Sequence, residues 1–123
     1  AGLTDLAGNV WVGNPVPFRY FQPMPLAPGA VVITEIMADP SPVVQLPEAE
    51  YIEIANVSSH PYDLQGWRLA DATDTTSLPS HFLLPGEWLV LCATTQVARF
   101  APYGKVLGVP RFPSLNNTGE RLA

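Results

Sequence analysis

Acidic side chains are the residues of this sequence whose type and spacing come closest to a metal site. Carboxylates in loops beside a strand end can bind Ca²⁺, which takes about six to eight oxygen ligands. The candidate ligands are Asp39, Glu48 and Glu50, with Glu35 and Glu53 nearby in sequence. The sequence has no Asp-x-Asp-x-Asp run and no glycine-rich calcium loop. We therefore expect solvated strand faces and an Asp39 that caps a turn, with Ca²⁺ binding as the open alternative.

Nucleophilic, acid–base and zinc chemistry find little support in the sequence. His60 and His81 have no Cys or suitably spaced carboxylate to complete a zinc site. Cys92, the one cysteine, lies in an apolar run without His or cationic neighbours, so we expect a small buried side chain. Neither a Gly-x-Ser-x-Gly turn nor a phosphate-binding glycine loop occurs, and nothing predicts the cleft that glycoside hydrolysis requires. We expect no catalytic residues and no bound cofactor.

Three tryptophans are the remaining candidates for a binding site. Exposed aromatic rings on a β-sandwich stack on sugar rings or anchor protein partners. Trp67 and Trp88 lie in alternating apolar runs, which predicts that both belong to the core. Trp11 lies in the segment before the main strands and is the candidate binding residue.

Composition narrows the classes of partner. The formal net charge is −5, Lys105 is the single lysine and the arginines are scattered, so no cationic surface for nucleic acid is predicted. No stretch approaches the ~20 apolar residues that a membrane-spanning helix needs. Only 14% of residues are charged and 14 are proline, which favours short strands joined by stiff loops. We expect neither nucleic-acid binding nor membrane insertion.

Beyond residue 30, short apolar runs alternate with turn residues at the spacing typical of a β-sandwich. The predicted strands cover residues 31–37, 50–56, 62–64, 67–70, 81–84 and 87–91. Pro85 and Gly86 form a strong turn pair between the last two strands. Residues 94–100 are predicted to form a single helical turn, capped by Thr94 or Thr95.

The second of these strands has the clearest two-residue period. Tyr51, Glu53 and Ala55 fall on one face, and Ile52 and Ile54 fall on the other. Apolar residues on one face and a mixed set on the other are typical of a strand that buries one side. The pattern predicts a half-buried strand.

Residues 1–30 differ from the rest of the chain in their strand pattern and proline content, and the predicted domain organisation follows from this difference. We assign residues 1–22 to the end of a preceding unit or to a linker, 23–30 to a proline-rich linker, and 31–123 to the main module. Within the first segment, turn-forming residues precede 10–12, and 18–21 is predicted to be a short strand. The prolines at 23, 25 and 28 exclude a helix or a central strand and so set the boundary.

Several sequence motifs of the main module resemble those of the lamin-tail domain, an immunoglobulin-like β-sandwich found in bacterial surface proteins. The stretches that carry the resemblance, in the family's order, are Val32–Pro40, Glu50–Asn56, Asp63–Leu69, Leu84–Leu91 and Leu115–Glu120. The resemblance implies an all-β fold of this immunoglobulin-like type. The front stretch, residues 3–21, is similar to the last strands of a bacterial immunoglobulin-like repeat.

The resemblance implies a role without catalysis. We expect an interaction or architectural module of a secreted or cell-surface bacterial protein, with a protein or neighbouring modules of the same chain as partners. The alternative is a ligand-binding accessory domain of a secreted hydrolase, specific for carbohydrate or for a Ca²⁺-dependent partner. Exposed aromatic side chains or an oxygen-lined cation site favour the alternative.

One departure from the family concerns the end of the sequence. The family continues through closing strands after the region of Asn116–Leu122, whereas this sequence ends at Ala123, so a C-terminally incomplete sandwich is expected. Such a sandwich exposes an unpaired strand edge, which favours homo-oligomers. We expect residues 1–21 or a neighbouring copy to cover this edge.

Overall fold

The chain folds as an all-β structure in which one short helical segment links two strands. A computed structural model describes residues 3–20, 22, 24–43, 45–119 and 121–123. In these residues the strands are β1 (Val31–Met37), β2 (Tyr51–Asn56), β3 (Tyr62–Asp63), β4 (Arg68–Ala70), β5 (Thr75–Ser77), β6 (Phe82–Leu83), β7 (Trp88–Ala93) and β8 (Val106–Val109). A 3-10 turn (Thr94–Gln96) and the helical turn α1 (Val97–Phe100) lie between β7 and β8. No helix among the described residues is long and apolar enough to span a membrane.

The strands form one large sheet and two small ones. The large sheet has the order β1-β2-β7-β8, in which β7 and β8 are parallel and the other neighbours are antiparallel. The small sheets pair β3 with β6 and β4 with β5. Leu64, Leu69 and Leu83 from the small sheets join Ile52 and Leu89 of the large sheet in one hydrophobic core. The expected all-β sandwich is confirmed.

Strand β1 lies at the edge of the large sheet and contains a bulge. Its pairing with β2 shifts register between Ile33 and Glu35. Because an extra residue is inserted there, Ile33 and Ile36 both face the core side, opposite Ile54 and Ile52. The side chains of Ile33 and Ile36 are nevertheless 42% and 50% exposed, since the small sheets do not extend over them.

Strand β2 is buried on both faces, so the prediction of a half-buried strand was wrong. On the core face Ile52 is fully buried, and on the opposite face Tyr51 and Ala55 are only 4% and 2% exposed. The cause is a second, smaller hydrophobic cluster that Tyr51 forms with Cys92 and Phe100 on the far side of the sheet. A sequence period detects one covered face and does not detect a helical turn folded over the other.

The helical turn forms where it was predicted, but without the predicted cap. The 3-10 turn follows Ala93 directly, and no side-chain hydrogen bond caps it or α1. Strand β7 ends at the residue before the turn, so Ala93 takes the capping position that Thr94 or Thr95 was expected to fill.

The turn at Pro85 and Gly86 is confirmed, and it moves the chain between sheets. Gly86 has a φ of 73°, which a glycine adopts without strain. The strand before the turn, β6, pairs with β3, whereas the strand after it, β7, pairs with β2. The turn is therefore a corner of the sandwich and not the tip of a hairpin.

The front segment does not pair with the edge at β1 over residues 3–20, so the first form of that expectation was wrong there, whereas coverage by a neighbouring copy stays a prediction. Residues 3–20 are all exposed, and their one ladder contact is a bridge between Thr4 and Val10. Asp5 accepts hydrogen bonds from the backbone of Ala7 and Asn9, which closes a turn within the segment itself. The strand expected at 18–21 is absent over 18–20, and Phe21 lies outside the described residues.

At the other end of the described chain, Ala123 contacts the end of β4. The backbone N–H groups and carbonyls of Ala70 and Ala123 exchange two hydrogen bonds, at 2.7 and 2.9 Å. Ala123 thus pairs with the last residue of β4, which pairs with Thr75 of β5 as well.

Candidate functional site

The outer face of the large sheet, on the side away from the main core, presents three rows of side chains. Residues that pair across strands share a face of the sheet, so the register assigns each row. The first row is Met37, Tyr51, Cys92 and Gly108; the second is Glu35, Glu53, Val90 and Val106; the third is Val32, Ala55 and Trp88.

The first row is covered by the helical segment. The Phe100 ring packs edge-on against Tyr51, with ring centroids 5.3 Å apart. Gly108 allows the close approach of this segment, because a Cβ at Gly108 would lie 2.8 Å from a methyl carbon of Val97. Cys92 is fully buried beneath the segment, as predicted, and burial raises the pKa of its thiol.

Beyond the first row, Val90 and Val106 also pack against the smaller hydrophobic cluster, and Ala55 is buried. We call the four residues that remain in the second and third rows, each at least partly exposed, the outer patch (Val32, Glu35, Glu53 and Trp88). Trp88 is 57% exposed and Glu35 is exposed, while Val32 and Glu53 are half-buried. The prediction of a core Trp88 was therefore wrong. Its neighbour Leu89 is fully buried, and alternation along β7 places Trp88 on the opposite face, beyond the reach of the helical segment.

Two carboxylates of the outer patch lie directly opposite one another. Glu35 of β1 pairs with Glu53 of β2, and like charges in this position repel. The Tyr51 hydroxyl donates to Glu35 over 2.7 Å, and the Thr34 hydroxyl donates to Glu53 over 2.8 Å. Burial, together with the Glu35 carboxylate, raises the pKa of Tyr51, so this donor keeps its proton. Among the described residues, no Lys, Arg or His side chain forms an ion pair with either carboxylate.

The three candidate calcium ligands have other roles in the structure. Asp39 accepts a hydrogen bond from the backbone N–H of Ser41, which is the predicted turn cap. Glu48 accepts from the Ser41 hydroxyl, and Glu50 accepts from the backbone N–H of Leu115. No three Asp, Glu, His or Cys side chains of the described ranges are grouped as a metal ion requires. Calcium binding by these three residues stays a prediction.

Two polar residues that sequence reasoning passed over hold the corner of the sandwich. Asn56 is fully buried; its side chain donates to the carbonyls of His60 and Leu83 and accepts from Ser58. The signal was Asn56 itself, a polar residue at the last position of an apolar predicted strand. Its partner Leu83 lies 27 positions away, so the contact has no local signature.

Glu87 is the second of these residues. Its carboxylate accepts from Lys105 over 3.0 Å and from the backbone N–H of Leu84, and it contacts the His81 ring at 3.1 Å. Burial raises the pKa of Glu87, but the bonds from Lys105, Leu84 and His81 outweigh it, so the pKa is lowered overall. The cluster fixes the Pro85 turn to the start of β8. It has no nucleophile and serves the fold.

Two grooves border the sandwich away from the outer patch. One, of about 290 Å³, is lined by aromatic rings of Tyr62, Trp67 and Phe82 and by Met24 and Leu26 of the linker. Trp67 is half-buried and its ring lies 5.9 Å from that of Tyr62, so its expected place against the core is confirmed. 

The second groove, of about 260 Å³, lies beside the edge strand. Its apolar walls are Ile36 and Ala38 on one side and Leu115 and Leu122 on the other. Trp11, the candidate from the sequence, is 49% exposed in the front segment, and its binding role stays a prediction.

Comparison with known families identifies the fold that this geometry represents. A family model described as Lamin Tail Domain matches residues 25–120. Comparisons with curated proteins and with solved structures give no significant match. The family is immunoglobulin-like, non-enzymatic and active in protein interaction. Because its model spans most of the sequence and fits the all-β sandwich, the chain belongs to the lamin tail domain family.

Proposed function

We propose that this chain is an interaction or architectural module of a secreted or cell-surface bacterial protein of several domains. The observation that carries the proposal is the edge of the large sheet at β1, a strand that pairs with β2 alone in the described part of the chain. Ile33 and Ile36 are 42% and 50% exposed there, and Ile36 lines a largely apolar groove that Leu115 and Leu122 complete. A free strand edge next to an apolar groove can accept an extended segment from a partner or from a second copy.

The chemistry of the site supports a role without catalysis or cofactor. The described carboxylates have hydroxyl, backbone or side-chain partners suited to holding turns and strands, and the thiol of Cys92 is buried. An acidic sequence with a net charge of −5 disfavours nucleic acid as the partner. The extracellular location and the assignment of residues 1–22 and 23–30 to a preceding unit and a linker are parts of the same proposal.

Light scattering over a range of concentrations tests this proposal. We expect the mass to rise with concentration, because a second copy can occupy the β1 edge. The variant Ile36→Lys should abolish the rise by placing a charge on the edge, whereas Val12→Lys, on an equally apolar but distant position that is 94% exposed, should leave it unchanged. A mass that rises equally in all three proteins would contradict a role for β1.

A second candidate function is carbohydrate binding as an accessory domain of a secreted hydrolase. The exposure of Trp11 and Trp88 favours it, as does the aromatic groove at Tyr62, Trp67 and Phe82. Titration with soluble polysaccharides while tryptophan fluorescence is recorded tests this alternative. Saturable changes that disappear in Trp67→Ala would support it, and an unchanged spectrum with every polysaccharide would count against it.

A further inference from the structure

We propose that the outer patch binds a segment of a partner protein through an arginine or lysine side chain. This inference rests on the proposed interaction role and names the surface and the chemistry of the partner. It uses a different surface from the β1 edge groove, since the two lie on opposite faces of the large sheet.

The charge of the outer patch selects a cationic partner. Glu35 and Glu53 lie directly opposite each other, and among the described residues neither carboxylate has a cationic partner. A guanidinium or ammonium group placed between them would relieve their repulsion and form charge-assisted hydrogen bonds. A second copy of the chain suits this acidic surface less well than it suits the apolar β1 edge, because it would bring another net charge of −5 to two carboxylates.

The apolar part of the outer patch suits the stem of the same side chain. Trp88 and Glu53 are diagonal neighbours on the same face of the sheet, because Trp88 pairs with Ala55 and Glu53 pairs with Val90, two residues further along β7. Lys and Arg side chains lay their carbon stems on apolar surface while the head reaches a carboxylate. An indole ring with 57% exposure also offers a face for cation–π contact, which favours Arg.

The hydrogen bonds within the patch hold the carboxylates in place. The Tyr51 hydroxyl donates to one oxygen of Glu35, and the Thr34 hydroxyl donates to one oxygen of Glu53. These bonds fix both side chains before a partner arrives, which lowers the entropy lost on binding. Removing one charge should therefore weaken binding without unfolding the chain.

Calorimetric titration of the whole chain with a short peptide that alternates Arg with Thr tests the inference. We expect binding whose affinity falls with added salt, and none with a matched peptide that has Glu in place of Arg. The double variant Glu35→Gln, Glu53→Gln should weaken binding about tenfold, and Trp88→Ala about threefold. Asp74→Asn and Tyr20→Ala are the matched controls, because both residues are exposed and lie outside the patch, and both should bind as the unaltered chain does.

Three outcomes would overturn the inference. They are no binding of the Arg peptide, equal binding of the Arg and Glu peptides, and equal losses in the patch variants and the controls. Any of these, together with concentration-dependent association that Ile36→Lys abolishes, would reject the outer patch and leave the proposed function standing. Loss of both signals would reject both.

Discussion

The two faces of the large sheet are built from the same strands and differ in how completely they are covered. On the inner face, Ile52, Leu89 and Leu91 are at most 1% exposed. On the outer face, the helical segment covers Tyr51 and Cys92 but stops short of Glu35, Glu53 and Trp88. The inner face and the covered end of the outer face give stability, and the open end is available to a partner.

The comparison also shows where the polar groups of each face find partners. On the inner side, every side-chain oxygen and nitrogen of Asn56 and Glu87 has a hydrogen-bond partner, including backbone groups, the Ser58 hydroxyl, the His81 ring and the Lys105 ammonium. On the open outer side, Glu35 and Glu53 face each other with hydroxyl donors alone. Residues that serve the fold are thus satisfied within the chain, whereas these two carry unbalanced charge.

The largest expected effect among the polar residues is the loss of the Asn56 side chain. Asn56→Ala leaves the carbonyl of Leu83 and the N–H of Ser58 without their partners in the corner of the sandwich. We expect the free energy of unfolding to fall by about 2–4 kcal/mol, measured by urea titration. A loss below about 0.5 kcal/mol, as at an ordinary surface site, would show that the corner does not depend on this residue.

A side chain at position 108 should disrupt the packing of the helical segment on the covered end of the outer face. In Gly108→Ala, the new Cβ would lie 2.8 Å from Val97 and 3.0 Å from the Thr94 Cα, which is backbone. We expect a loss of about 1–3 kcal/mol and faster reaction of Cys92 with a thiol reagent, because the helical segment must move. Gly104→Ala is the control, since nothing lies within 4 Å of a Cβ there. Unchanged thiol reactivity in Gly108→Ala would contradict the packing described.

The free energy of unfolding, measured as the pH is lowered, tests the contribution of Glu87 and its partners. Because the pKa of Glu87 is lowered in the folded chain, the unfolded state binds the proton more readily. The contribution of Glu87 is complete above its ordinary value of 4.5 and is lost as the pH falls through the lower, folded pKa. At neutral pH, Glu87→Gln should cost about 1–2 kcal/mol, and the difference from the unaltered chain should shrink in acid. A difference that stays constant with pH would contradict this account.

The smallest expected effect is an increase in the free energy of unfolding. Glu53→Gln removes the repulsion between Glu53 and Glu35 but keeps the acceptor for the Thr34 hydroxyl. We expect the free energy of unfolding to rise by about 0.5 kcal/mol at low salt and to change less at high salt. A clear loss of stability would show that the charge of Glu53 serves the fold.

Much of the fold could be predicted from the sequence because its signals are local. The β-branched run of β1, the corner at Gly86 and the order of the family's phrases each depend on neighbouring residues. Trp88 was misplaced because an alternating apolar run does not say which face the chain will cover. The coverage depends on where the segment carrying Phe100 folds back, and that is a contact between distant residues.

The candidate site was harder to predict than the fold. Glu35 and Glu53 were seen as an acidic group around the calcium candidates, but their partnership depends on the bulge in β1, which sets the register. Asn56 and Glu87 were passed over because Leu83 and Lys105 reach them from other strands or turns. Sequence spacing alone does not reveal such pairs.

Unfolding of two adjacent variants in β7, Trp88→Ala and Leu89→Ala, tests most directly whether the sheet has one structural face and one open face. Leu89 is fully buried and Trp88 is 57% exposed. Denaturant titration should show a loss of about 3–4 kcal/mol for Leu89→Ala and of less than about 1 kcal/mol for Trp88→Ala. Similar large losses in both variants would contradict the account, because Trp88 would then be a core residue and the outer patch would not be open.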